Sequence, residues 1–177
     1  MKRLSFKTSS RNIDAFYYSE SDEIKPGIIF IHDLMGIVDA THQTAQLLAE
    51  EGYHVLVPDL YTGIGKMKYC VRQIFDASMR NNEADNPHLM EIYAILDQFK
   101  ALPEVDSTKI GMVGQCLTGG FILHMAMLPE VKAPVVFHHS FGLKGSGMPS
   151  ACSSLIKNTI QGHYVHIPDL SILGQRI

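Results

Sequence analysis

The sequence has little net charge, few cysteines and no long apolar run, and each shortage excludes a class of protein. Its 15 basic and 18 acidic residues give a formal net charge of -3, so the basic surface that nucleic-acid binding requires is missing. No uninterrupted apolar stretch approaches the roughly 18 residues of a membrane span. The N-terminus also lacks the apolar core of a secretory signal. We therefore expect a soluble cytoplasmic protein that binds small molecules and neither nucleic acid nor membranes.

The three cysteines lie far apart in the sequence, at Cys70, Cys116 and Cys152. An odd number at such spacing favours reduced thiols over a disulfide framework. The chain has 177 residues, of which 46% are apolar, which is enough for one buried core. A single domain over residues 1–177 is expected.

The hydrophobic pattern alternates between strands and helices. Two polar/apolar alternations within residues 1–19 predict an antiparallel hairpin at a sheet edge. Later strands are predicted at 28–31, 55–57, 135–137 and 169–173, and helices at 39–52, 87–102 and 121–128. Residues 61–84 are expected to form a loop and a short helix that cover the edge of the sheet where a site would lie. The pattern indicates an α/β fold with a mostly parallel sheet and helices on both faces.

The most informative stretch is residues 109–121, where an apolar run stops at Cys116 between glycines and a second apolar run begins at once. This pattern predicts a strand, a tight elbow and a helix. Gly114, two residues before the cysteine, would avoid a clash between the strand and the helix. A sulfur at a helix N-terminus is favoured as the reactive thiolate, so Cys116 is a candidate nucleophile. The alternative is a small buried residue at an ordinary strand-to-helix turn.

Three segments, 27–36, 52–61 and 114–120, resemble in order and spacing the dienelactone hydrolase family, which comprises α/β-hydrolases with a cysteine nucleophile. The resemblance implies a hydrolase of small carboxylic esters or lactones that needs no cofactor. It implies that the backbone N–H groups of Leu34 and Leu117 form the oxyanion hole. It also suggests that Asp33 contacts the thiol, since the family commonly has a glutamate there. Asp33 could instead only cap its turn.

Two residues depart from the family pattern near this site. Thr118 stands where the family usually has glycine, so the close helix packing is expected to shift by one residue to Gly119. Gly63 lies near the position of the family's anion-binding arginine, which leaves the substrate open. Lys68 or Arg72 could replace that arginine, or could be solvated loop charges.

Three histidines lie at predicted strand ends, where a base could assist the thiol in place of the family's own histidine. They are His32, His138 and His139. Structural histidines with hydrogen bonds at strand ends are the favoured alternative. His163 and His166 are the only close pair with helical spacing, and no carboxylate or cysteine cluster joins them. We therefore expect no metal site.

The largest departure from the family is at the C-terminus. By register, Ile177 stands where the family has its catalytic aspartate, and no histidine follows. The family's acid, base, last strand and last helix would then be missing, and the 169–173 strand would form an exposed edge through which a homodimer could assemble. Two interpretations follow. The chain is a hydrolase whose turnover is impaired or depends on completion by another chain, or it is a non-catalytic module that binds a small ligand or a partner.

Overall fold

The computed structural model of the chain describes residues 1–79, 86–126 and 128–137. The chain starts with the strands β1 (Lys2–Lys7), β2 (Asn12–Tyr18) and β3 (Lys25–Ile31), followed by the helix α1 (Asp39–Glu50) and the strand β4 (His54–Pro58). The helices α2 (Lys66–Met79) and α3 (Pro87–Lys100) precede the strand β5 (Val105–Gln115). A 3₁₀ turn (Cys116–Thr118), the helix α4 (Gly119–Met125) and the strand β6 (Val131–Phe137) end the described part.

The six strands form one sheet in the order β1-β2-β4-β3-β5-β6. The pairs β1–β2 and β2–β4 are antiparallel. The pairs β3–β4, β3–β5 and β5–β6 are parallel. The mostly parallel α/β sheet and the N-terminal hairpin at its edge are therefore confirmed.

Two apolar layers cover the sheet. On one face, Ile29 of β3 and Met112 of β5 pack in a cluster with residues of α3 and α4. On the other face, Phe30 and Val55 pack against Ala45 of α1. Successive side chains of a strand point to opposite faces, which is why the neighbours Ile29 and Phe30 belong to different layers. Strands covered on both faces read as continuous apolar runs, as expected for 28–31.

The predicted helix boundaries agree with the structure where capping residues are present. The Asn86 side chain accepts hydrogen bonds from the backbone N–H groups of His88 at 3.0 Å and Leu89 at 3.4 Å. Pro87 occupies the first helical position, where its missing N–H costs nothing. Gly52 follows α1 with a φ of 92°, as a C-terminal capping glycine should.

The prediction for residues 61–84 was partly wrong, because α2 is 14 residues long rather than short. The sequence signal was weak because the glycines at 63 and 65 lie just before this helix. Both have positive φ, and they shape the loop that precedes the helix rather than breaking it. Among residues 66–72 of this helix, Tyr69 and Cys70 are buried.

Several predictions concern residues outside the described ranges. They include the strand at 169–173, His138, His139, His163, His166, Cys152 and the C-terminal register of Ile177. The homodimer through the 169–173 edge therefore stays a prediction, which light scattering of the 177-residue chain can test.

Candidate active site

The elbow at Cys116 has the geometry that its sequence predicts. The strand β5, which pairs with β3 and β6, ends at Gln115. Cys116 then adopts a φ of 56°, which among the described residues makes it the sole non-glycine residue with positive φ. Such a backbone costs on the order of 1–3 kcal/mol and is found mainly at functional sites. Cys116 is half-buried.

Gly114 provides the space that the elbow needs. A Cβ added at this position would lie 2.5 Å from the Ile122 Cγ1 atom and 3.1 Å from the backbone oxygen of Thr118. Both contacts belong to the turn and the helix that follow the cysteine. Only glycine therefore allows β5 and α4 to approach so closely.

Thr118 replaces a glycine of the family pattern without opening the turn. Its side chain is buried, and its hydroxyl donates a hydrogen bond to the Gln115 backbone oxygen at 2.9 Å. In return, the Gln115 backbone N–H donates to that hydroxyl oxygen at 3.3 Å. Gly119, also buried, is the first residue of α4. The threonine thus stabilises the turn by bonding across it.

The loop after β3 lies beside the elbow because the two strands are paired in parallel. Ile31 is opposite Gly114, so both chains leave the sheet at the same edge. Leu34 is exposed in this loop, and its backbone N–H has no acceptor among the described residues. Leu117 lies at the start of a helix, where backbone N–H groups precede the intrahelical ladder. Both predicted oxyanion donors are therefore backbone groups at this edge.

His32 has a structural environment. It is fully buried, its Nδ1 lies 2.8 Å from the Asp33 backbone oxygen, and its Nε2 accepts from the Leu60 backbone N–H at 3.1 Å. Because Nε2 accepts, Nδ1 carries the proton. Burial is the main cause that lowers the His32 pKa. Both nitrogens are thus engaged with the backbone, which disfavours His32 as a base.

Asp33 has its side chain in the turn. Its Oδ1 accepts a hydrogen bond from the Met35 backbone N–H at 2.7 Å, which is the turn-capping arrangement. Its contact with the thiol stays a prediction. Lys68, one candidate for an anion-binding cation, is exposed on α2.

Tyr61 and Arg11 were not recognised as site residues from the sequence. The Tyr61 hydroxyl donates to the Leu34 backbone oxygen at 2.9 Å and lies 3.3 Å from the Asp33 backbone oxygen. Arg11 donates to the backbone oxygens of Thr62 and Leu60, the latter at 3.0 Å. No local pattern could have found these contacts, since they join segments distant in the sequence.

Within the described ranges, no group of three or more His, Cys, Asp or Glu side chains is arranged to hold a metal ion. No helix in the described part of the chain is both long and apolar enough to span a membrane.

The mostly parallel sheet, with a strained elbow at the end of β5, defines the class of α/β-hydrolase folds. The dienelactone hydrolase family matches the chain over residues 13–170, and the chain therefore belongs to that family. A protein of Synechocystis sp. named "Putative carboxymethylenebutenolidase" is 26% identical over 129 residues, which cover 70% of this chain and 50% of that protein.

Solved structures share the fold at low identity. A dienelactone hydrolase-like promiscuous phosphotriesterase from metagenomic libraries has a TM-score of 0.63 at 17% identity, covering 92% of this chain and 76% of the other. DcsB, solved with a substrate analogue, also has a TM-score of 0.63, at 20% identity, covering 91% of this chain and 53% of its own. The chain thus spans about half the length of the curated relative and of DcsB.

Proposed function

We propose that the chain hydrolyses small carboxylic esters or lactones with Cys116 as the nucleophile. The observation that carries the proposal is the left-handed backbone of Cys116 at a strand-to-helix turn that only Gly114 leaves room for. Membership in the dienelactone hydrolase family supports the reaction class.

In the first half of the reaction, the Cys116 thiolate attacks the carbonyl carbon of the ester and forms a C–S bond. The negative charge moves to the carbonyl oxygen, where the backbone N–H groups of Leu34 and Leu117 stabilise it. The tetrahedral intermediate then collapses, the alkoxide leaves, and a thioester remains on the enzyme.

In the second half, water attacks the thioester and releases the acid and the thiol, which requires a base to take the proton of the water. His32 is a poor candidate because both of its nitrogens are engaged with the backbone. With His32 disfavoured as the base, we expect deacylation to be the slower half of the reaction.

Burst kinetics with p-nitrophenyl acetate test the proposal. We expect a burst of at most one equivalent of p-nitrophenol per chain, followed by turnover about two to four orders of magnitude slower than general base catalysis would allow. Cys116→Ala should abolish the burst, while Cys152→Ala should retain it as a matched control. Sustained turnover would point to His138 or His139 as the base, which single alanine variants would identify.

The alternative is a module that binds a small ligand without turnover. A cavity of about 690 Å³ supports it, lying between α1 and the strands β3, β5 and β6. Among its lining residues are Phe30, Leu48, Val113, Val135 and Phe137. The absence of a burst, with Cys116 accessible to alkylation, would favour this function.

A further inference from the structure

The peptide unit between Asp33 and Leu34 is held from its carbonyl side. Three donors lie at the Asp33 backbone oxygen: the His32 Nδ1–H at 2.8 Å, the Gly36 backbone N–H at 3.1 Å and the Tyr61 hydroxyl at 3.3 Å. In a planar trans peptide the C=O and N–H bonds point in opposite directions. Fixing the Asp33 oxygen therefore also fixes the direction of the Leu34 N–H.

Tyr61 also holds the next peptide unit of the loop, because its hydroxyl donates to the Leu34 oxygen at 2.9 Å. Burial is the main cause that raises the Tyr61 pKa, with the Cys70 thiol as the next cause. The phenol therefore stays protonated and remains a donor at neutral pH. The two peptide units on either side of the Leu34 Cα atom are thus both bonded to one side chain.

Gly36 allows the ring of Tyr61 to approach the loop. Its φ is 88°, and an added Cβ would lie 3.1 Å from the Tyr61 Cε2 atom. A larger residue would be strained and would push against the ring. The His32 ring lies on another side, with its centroid 4.7 Å from that of Tyr61.

The backbone around Tyr61 is itself anchored to the core. Arg11 donates to the backbone oxygens of Leu60 and Thr62, one on each side of Tyr61. Arg11 in turn forms two hydrogen bonds of 2.8 Å with the buried Glu91 carboxylate on α3. The Leu60 backbone N–H donates to His32. Tyr61 therefore acts on the loop from a rigid support.

We propose that Tyr61, supported by His32, is a positioning residue that aims the Leu34 N–H at the oxyanion. This inference rests on the proposed function, since it assigns Tyr61 a part in the acylation of Cys116. Hydrogen bonds accepted by a peptide carbonyl also polarise its N–H and make it a better donor. Tyr61 does not touch the substrate in this role.

Tyr61→Phe tests the proposal, because it removes the hydroxyl and keeps the ring. Two reactions of Cys116 are compared: acylation by p-nitrophenyl acetate, which develops an oxyanion, and alkylation by iodoacetamide, which does not. We expect acylation to slow by about 10- to 100-fold, somewhat below the effect of losing one oxyanion donor outright, with alkylation unchanged within about twofold. Tyr53→Phe, a change at an exposed tyrosine, is the matched control and should alter neither rate.

An equal fall in both rates would overturn the proposal, since it would indicate a general disturbance of the thiol. An unchanged acylation rate would overturn it as well. Amide hydrogen exchange of a peptide spanning residues 33–36 provides a reading that does not depend on activity, and Tyr61→Phe should raise its exchange rate while Tyr53→Phe should not. If the wild-type chain shows no burst, the proposed function fails. An exchange rate of residues 33–36 that is unchanged in Tyr61→Phe would separately refute the positioning role of Tyr61.

Discussion

At the scale of single residues, Cys116 differs from Cys70 in both backbone and environment. Cys116 stands in a strained left-handed conformation at the end of β5 and is half-buried. Cys70 is buried in α2, with its sulfur 3.6 Å from the Tyr61 hydroxyl. A nucleophile must be accessible to its substrate, and of the two cysteines that the structure describes, Cys116 is the more accessible.

We therefore expect Cys116 to be the most reactive of the three thiols. Limited labelling with iodoacetamide, followed by peptide mass spectrometry, should modify Cys116 several-fold faster than Cys70 or Cys152. Faster modification of either of these two would contradict the assignment of the nucleophile.

At the scale of secondary structure, the approach of α4 to β5 depends on the absence of a Cβ atom at Gly114. The space at Gly114 is filled by the Ile122 side chain and the Thr118 backbone oxygen. At Gly111, in the same strand, an added Cβ would meet its nearest atom at 3.5 Å, which is ordinary contact. The two glycines therefore offer a matched comparison within one strand.

Gly114→Ala should destabilise the fold by about 1–3 kcal/mol, the usual cost of overpacking, and should abolish the acylation burst because the elbow shifts. Gly111→Ala should change the free energy of unfolding by less than about 1 kcal/mol and keep the burst. Urea denaturation of both variants measures the difference. Equal stability of the two variants would show that α4 moves freely and that the elbow is not tightly packed.

At the scale of the whole molecule, a buried ion pair joins three distant parts of the fold. Arg11 precedes β2, Glu91 lies on α3, and the oxygens of Leu60 and Thr62 follow β4. Burial alone would raise the Glu91 pKa, but hydrogen bonds from Arg11 and Ser10 outweigh it and lower the pKa below its ordinary 4.5. Because the folded-state pKa is lowered, this stabilisation is present above pH 4.5 and is lost as the pH falls through the folded-state value.

Arg11→Ala should therefore cost about 3–5 kcal/mol at pH 7, since it leaves a buried carboxylate without its partner. The cost should shrink as the pH falls from 7 towards 5, because burial raises the Glu91 pKa once Arg11 is gone and the carboxyl then becomes protonated. Lys2→Ala, which removes an exposed pair with Asp22 at 4.0 Å, should have no measurable effect at either pH. Chemical denaturation at pH 7 and pH 5 tests this, and a cost that grows as the pH falls would refute it.

What the sequence determined by itself was local. The elbow at Cys116, the space at Gly114, the hairpin and the start of α3 at Asn86 each depend on residues a few positions apart, so their patterns could be read from the chain. Tertiary structure alone decided the support of the site, because Tyr61 meets Leu34 across 27 residues and Arg11 meets Glu91 across 80. The same holds for His32, whose role as a buried hydrogen-bonding residue depends on the Leu60 backbone 28 residues away. Such contacts carry no periodic signal, since they arise only when the sheet brings the ends of its strands to one edge.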